Sequence, residues 1–194
     1  MKPSGNQRPR LGVLLSGTGR TLQNLVDRIR DGRLRAGIAV VISDQKECLG
    51  LRRALDAGIP STYLRQADRI WDRLRRERVD LVCLCGYLRL LPIEPDFEGR
   101  VLNIHPSLLP DFGGKGMYGI RVHEAVLAAG RTESGCTVHV CTNEYDRGPI
   151  LVQRRVPVLP GDDLHRLAAR VFEAECEAYP EAIERRWREI SRGA

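Results

Sequence analysis

The stretch Val101-Leu102-Asn103-Ile104-His105-Pro106-Ser107-Leu108-Leu109-Pro110 holds the residue types best suited to chemistry. An apolar approach leads into a carboxamide and, two residues on, an imidazole. Prolines and a serine then end the strand. Residues i and i+2 of a strand project from one face, so Asn103 and His105 should emerge together at a strand end. A hydrogen-bond donor beside a titratable ring suits a carbonyl that becomes an oxyanion. The same pattern also describes a core strand with a satisfied Asn and His, so the reading depends on what the rest of the chain supplies.

A second candidate lies near the start. Leu11-Gly12-Val13-Leu14-Leu15 is apolar and ends at Ser16-Gly17-Thr18-Gly19-Arg20-Thr21; Leu22, Leu25, Val26 and Ile29 then recur at helical spacing. Strand, glycine turn and helix open many phosphate-binding α/β folds. Gly17 and Gly19 let the backbone approach an anion, and the amides of Gly19, Arg20 and Thr21 would face it from the helix start. Leu22 stands where the dinucleotide fingerprint wants a third glycine, and the Gly-Lys-Ser/Thr of a P-loop is missing. A phosphate monoester therefore fits better than NAD or ATP. A plain tight turn is the competing reading.

The elements that must position these residues alternate. Strands are expected at residues 37–43, 61–64, 81–85 and 101–105, with helices at 48–57 and 68–78 between them. Residues 81–85 are uncharged and rich in Val and Leu, as in a strand buried on both faces. The alternation implies right-handed crossovers and a mostly parallel twisted sheet with helices on both faces, an α/β class. Ligands bind such sheets at the carboxyl ends of the strands. The Gly17 loop, the Gly86 loop and Asn103-x-His105 all fall there. Residues 111–120 hold four glycines and read as a mobile lid in which Lys115 and Tyr118 could reach a ligand, or as a solvent loop. Residues 122–129 read as a helix with His123 on its surface. Residues 136–141 and 150–156 read as strands of an antiparallel extension, joined by a turn at 142–149. Residues 163–187 read as a long amphipathic helix with a break expected at Pro180.

Composition bounds the rest. The 194 residues suit one domain at 11–194, after a polar leader at 1–10 that is expected to be disordered and lacks an apolar signal core. No run is long enough to span a membrane. The net charge of +6 comes from arginine, since lysine occurs only at Lys2, Lys46 and Lys115. Most arginines alternate with acidic residues on helical patterns, which describes solvated faces rather than a basic stripe. Six cysteines form no CxxC pair, and no histidine has zinc-type spacing. Reduced thiols, a cytoplasmic protein and no metal are the expectations.

Ser16-Gly17-x-Gly19 after a first strand, the block from Asn103 to Pro110, Thr137-Val138-His139 and Asp146-x-Gly148-Pro149 occur in an order and spacing that resembles the phosphoribosylglycinamide formyltransferase family. These are folate-dependent enzymes of purine synthesis with a Rossmann-like formyltransferase fold. The resemblance spans about residues 11–187. It implies transfer of a formyl group from 10-formyltetrahydrofolate, as co-substrate, to the amine of glycinamide ribonucleotide. The family's catalytic residues match Asn103, His105 and Asp146. A carboxylate near an imidazole favours the imidazolium, so a protonated His105 and the Asn103 amide would stabilise the oxyanion, and Asp146 could order a proton-relaying water. Thr137 and His139 would support them.

For the substrate, the resemblance implies phosphate at Gly19, Arg20 and Thr21, where the family usually has Ser-Asn in place of Arg20-Thr21, and ribose hydroxyls at Glu175. Folate would lie against Leu88, Arg89, Leu90 and Leu91, largely through backbone, and against Asn103, Thr142 and Asp146. Leu109-Pro110 matches a cis bond of the family. The expected partners are the two small molecules, with neither nucleic acid nor membrane, and with a homodimer left open. The competing readings are another formyltransferase or a formyltetrahydrofolate hydrolase of the same fold, a basic nucleic-acid binder, and a nicotinamide-dependent oxidoreductase. Only 5% of the chain is aromatic, which disfavours the binder, and Leu22 disfavours the oxidoreductase.

Overall fold

Leu11, Val13 and Leu15 of strand β1 (Arg10–Leu15) face one side of the sheet and Leu14 the other, and all are fully buried. This double burial is what an uncharged apolar strand demands, and helices on both faces meet it. The computed structural model describes residues 8–192. After β1 come α1 (Arg20–Arg30), β2 (Gly37–Ser43), α2 (Leu49–Asp56), β3 (Ser61–Tyr63), α3 (Ala67–Arg76), β4 (Leu81–Leu84) and β5 (Val101–His105). Then follow α4 (Ile120–Ala128), β6 (Glu133–Val140), β7 (Ile150–Pro157) and α5 (Leu164–Arg192). The sheet order is β3-β2-β1-β4-β5-β6-β7. The first five of these are parallel, while β6 runs antiparallel to β5 and β7 antiparallel to β6. The mostly parallel sheet and its antiparallel extension match the reading of the chain. Leader positions 1–7 lie outside the described residues. Its last two residues belong to the fold: the Pro9 carbonyl accepts the Gly37 N–H at 2.9 Å, and Arg10 opens β1.

The packing splits by face. Residues of α1, α2, α4 and α5 join one apolar cluster. Ile70, Trp71 and Leu74 of α3 join the other, against Val40, Ile42, Val82 and Leu84. The order reverses between β1 and β4, because the chain runs out to β3 and returns to the far side of β1. At such a switch point the loops diverge and leave a crevice. The loops after β1 and β4 stay joined at its floor, where Ser16 N–H donates to the Gly86 carbonyl at 3.0 Å.

Helix α5 does not break at Pro180. A proline removes the N–H that would bond the carbonyl four residues back, here Cys176. Asn24 on α1 supplies the missing donor, with its Nδ2 3.0 Å from the Cys176 carbonyl. The freed acceptor is satisfied, so the helix continues. Tyr179 fixes α5 to the sheet from the same region; its hydroxyl lies 3.1 Å from the Leu84 carbonyl and 2.9 Å from that of Leu102. All six cysteines are free. No helix among the described residues is long and apolar enough to cross a membrane.

Candidate active site

Strand β5 delivers Asn103 and His105, and β6 lies beside it with His139 opposite Asn103 and Thr137 opposite His105. The turn after β6 brings back Asp146, whose backbone is left-handed at φ 55°. Its side chain is nearly buried and stands between the others. One carboxylate oxygen lies 3.4 Å from His139 Nε2 and 3.4 Å from Asn103 Nδ2. The other lies 3.7 Å from His105 Nδ1 and accepts the Gly114 N–H at 2.9 Å. Asn103, His105 and Asp146, far apart in the chain, thus meet at one point.

Hydrogen bonds fix the rings. His105 Nε2 faces the Phe112 carbonyl at 2.9 Å. A carbonyl only accepts, so Nε2 carries a hydrogen and the basic lone pair is on Nδ1, toward Asp146. His139 Nδ1 lies 3.2 Å from the Val140 carbonyl, and Nε2 faces Asn103 and Asp146. Asn103 Nδ2 reaches both His139 Nε2, at 3.3 Å, and Asp146. Both of its N–H groups are therefore engaged.

The protonation expected of His105 is corrected by its surroundings. Burial pushes its pKa down; the Asp146 charge and the Phe112 carbonyl pull it up by less, and the net shift is below 6.5. Desolvation beats the carboxylate because 3.7 Å is too long for a direct hydrogen bond. The imidazole is neutral near pH 7 in the open site. For Asp146, burial pulls upward, but His139, His105 and the Gly114 N–H together hold the carboxyl below its usual value. A neutral ring beside an ionised carboxylate is the resting state.

Behind β5, a second set of bonds holds the Pro-rich turn. Thr137 Oγ1 donates to the Ser107 carbonyl at 2.7 Å and accepts the Leu109 N–H at 3.0 Å. Gln153 Nε2 donates to the Leu109 carbonyl at 3.0 Å. The Leu109-Pro110 peptide is cis.

These residues open into a cavity of about 730 Å³. Every residue singled out from the sequence for substrate or folate lines it: Gly19, Arg20, Thr21 and Glu175, and Leu88, Arg89, Leu90, Leu91 and Thr142. Gly19 has φ 71°, and a Cβ there would sit 2.7 Å from Gly50 Cα, so the loop needs glycine on both counts. At the far end Leu88 and Leu90 are exposed, an apolar surface suited to a bicyclic ring. The Leu88 N–H is already held by Ser16 Oγ at 3.0 Å, which leaves its side chain and carbonyl for a ligand. Asn143 ties this strap to the Asp146 turn by accepting the Ile93 N–H at 2.7 Å. Glu175 on α5 is half-buried; burial raises its pKa, the Arg20 charge lowers it, and the result is about 7. Lys115 and Tyr118 of the glycine-rich segment also line the cavity.

His123 departs from its expected surface position. It is 5% exposed, lines the cavity, and its Nδ1 has no hydrogen-bond partner. Burial, with a smaller contribution from His105, lowers its pKa to about 4. The helical pattern marks Val122 and Val126 as inward, and His123 is covered because α4 borders both the core and the cavity. No group of three or more His, Cys, Asp or Glu among the described residues could hold a metal ion.

An Asn, a His and a bridging Asp in a Rossmann-like crevice offer the hydrogen-bond donors and the base that acyl transfer requires. The formyl transferase family model matches residues 9–183, and the chain belongs to that family. It is 41% identical, over 92% of its length, to a chloroplastic phosphoribosylglycinamide formyltransferase of Vigna unguiculata, of which it spans 61%. It is 38% identical to the phosphoribosylglycinamide formyltransferase of Haemophilus influenzae, with 90% of this chain and 85% of that one covered. The crystal structure of glycinamide ribonucleotide transformylase 1 from Symbiobacterium toebii superposes with a TM-score of 0.84 at 39% identity, covering 98% of this chain and 94% of that one.

Proposed function

We propose that this chain transfers the formyl group of 10-formyltetrahydrofolate to the amine of glycinamide ribonucleotide, a step of purine synthesis. The observation that carries the reading is the Asp146 carboxylate set between His105, His139 and Asn103. It stands in a cavity with a glycine loop at one end and exposed leucines at the other. In this reading the phosphate sits on the amides of Gly19, Arg20 and Thr21 at the start of α1, where the helix dipole favours an anion. The ribose hydroxyls donate to Glu175. The reduced pterin rests on the strap from Leu88 to Leu91 and on the Thr142–Asp146 turn.

The free amine attacks the formyl carbon, and the carbonyl electrons move to oxygen. An N–H of Asn103, re-aimed from Asp146, and the His105 ring take the negative charge. The attacking nitrogen, positively charged after addition, gives its proton to His105 Nδ1, the nitrogen Asp146 faces, so the imidazolium forms as the oxyanion does. That proton passes through a water ordered by Asp146 to the folate nitrogen as the oxyanion collapses and the carbon–nitrogen bond breaks. The products are the formamide and a folate bearing N–H. Only the two small molecules are required, and the turnover is that of a freely diffusing enzyme of the cytoplasm.

The test is formyl transfer by the purified chain, with glycinamide ribonucleotide, other primary amines and water compared as acceptors. Glycinamide ribonucleotide should dominate. Faster release of formate to water, or faster transfer to another amine, would assign the chain to a different reaction of the same fold.

A further inference from the structure

Helices α1 and α5 meet along a seam that runs outward from the cavity. Arg20, Asn24 and Arg28 lie one turn apart on α1 and so share a face. Opposite them are Phe172, Cys176 and Glu177. Arg28 pairs with the Glu177 carboxylate, Asn24 bonds the Cys176 carbonyl at 3.0 Å, and the Arg20 guanidinium carbon lies 3.8 Å above the centre of the Phe172 ring. The first two contacts set the register of the helices; the third follows from that register. Phe172 was not singled out by sequence reasoning, because nothing local links it to a loop about 150 positions earlier in the chain.

Phe172 shares its face of α5 with Ala168 and Glu175, and all three line the cavity. Arg20 is exposed and is the first residue of α1. An arginine there would ordinarily sample many rotamers. A ring against its flat face restrains it by a cation–π contact and leaves the N–H edges directed outward. Those edges match the oxygens of a phosphate in bidentate fashion. Lysine, a compact point charge, has neither the flat face nor the fork.

We propose that Phe172 is a positioning residue that holds the Arg20 guanidinium at the glycine-loop end of the cavity, so that a stacked arginine side chain, besides the backbone amides, selects acceptors carrying a phosphate monoester. The proposal rests on the phosphate assignment of that loop made above. It also gives a role to the Arg20-Thr21 pair, which stands where the family usually has Ser-Asn. Glu175, one turn along α5 from Phe172, lines the same cavity and feels the Arg20 charge, so an acceptor stands near the held cation.

The experiment measures binding of ribose 5-phosphate, inorganic phosphate and unphosphorylated ribose to the full chain by calorimetry, alongside steady-state transfer to glycinamide ribonucleotide. Phe172→Leu and Arg20→Lys should each weaken ribose 5-phosphate about tenfold, the scale of a cation–π contact. They should raise KM with kcat within about twofold and leave any ribose binding unchanged. Phe172→Tyr keeps a ring and should restore wild-type affinity. Phe172→Leu should add nothing in an Arg20→Ala background, since the two act as a unit. Wild-type affinity in Phe172→Leu, a full further loss in the Arg20→Ala background, or no phosphate binding by the wild type would overturn the proposal. Should Phe172→Leu not fold, Arg20→Lys, at an exposed position, decides alone. A chain that discriminates ribose 5-phosphate as described but does not formylate glycinamide ribonucleotide would support the positioning role and overturn the proposed reaction.

Discussion

Replacing Asp146 by Asn removes one charge and keeps the shape, so its effect isolates what the carboxylate does. The distance to His105 Nδ1 is 3.7 Å. At an effective dielectric of roughly 20, a unit charge pair at that separation is worth about 4.5 kcal/mol. In the proposed mechanism that interaction is absent while His105 is neutral and present once the ring has taken the proton of the attacking nitrogen. It therefore lowers the barrier rather than tightening the ground state, and its loss should cut kcat about a thousandfold. The amide also fits badly in either orientation. With its NH₂ where one oxygen accepts the Gly114 N–H, two donors face each other, and the amide can donate to His105 Nδ1 and lock the neutral ring. With its NH₂ in the other place it meets Asn103 Nδ2. The residues proposed for phosphate and ribose lie elsewhere, so KM for glycinamide ribonucleotide should stay within about threefold. Asp146 has a depressed pKa in the fold. Its stabilising effect is thus present above the unfolded carboxyl pKa and fades as pH falls through the folded one, and the variant's stability should fall less on acidification. Stopped-flow and steady-state formyl transfer, with thermal melts from pH 3 to 8, measure all three. A kcat within tenfold of wild type in a folded variant would refute the charge argument.

Glu175 titrates at about 7 in the fold, with burial as the main cause. In the proposed function the Glu175 carboxylate accepts the ribose hydroxyls and is lost below that pH, so kcat/KM should fall on the acid side of pH 7. In Glu175→Gln that limb should flatten, and an unchanged limb would remove Glu175 from the assignment. Because its pKa is raised, the folded state holds a proton that the unfolded chain has lost, and stability declines as pH rises toward 7. The Gln variant should therefore melt higher than wild type at pH 8. Asn24→Ala leaves the Cys176 carbonyl without a donor, a cost of about 1–3 kcal/mol and a melting temperature lower by several degrees. In a Pro180→Ala background, where the helix supplies its own N–H, the same change should cost much less; equal losses in both backgrounds would sink that account of the unbroken helix.

Much of the site was legible because it depends on local rules. Two-residue spacing put Asn103 and His105 on one face, and the glycine turn after β1 marked where the strands end. Asp146 came from the family resemblance instead, since its turn carries no local mark of a site. Other features depend on groups distant in the chain. The charge state of His105 is a balance between a carboxylate and a dielectric, and only burial in three dimensions sets the dielectric. Pro180 signals a break by every local rule, and the donor that cancels it stands on α1. Phe172 reads as one more apolar residue of an amphipathic helix until Arg20 is seen above it. Burial of His123 required knowing that the α4 face beside the core also borders a cavity.

The glycine-rich segment joins these themes. Its first residues bond the two groups that handle charge: the Phe112 carbonyl holds His105 Nε2–H, and the Gly114 N–H holds Asp146. Gly113 between them packs so closely that a Cβ would lie 2.5 Å from Leu109 Cδ2 and 3.3 Å from Asp146 Cβ. The tautomer of the ring and the aim of the carboxylate are therefore set by backbone atoms of the segment that also carries Lys115 and Tyr118 to the cavity wall. Movement of that segment to admit or release a ligand would change the orientation of both groups. With these contacts in place the ring is neutral and Asp146 ionised near pH 7.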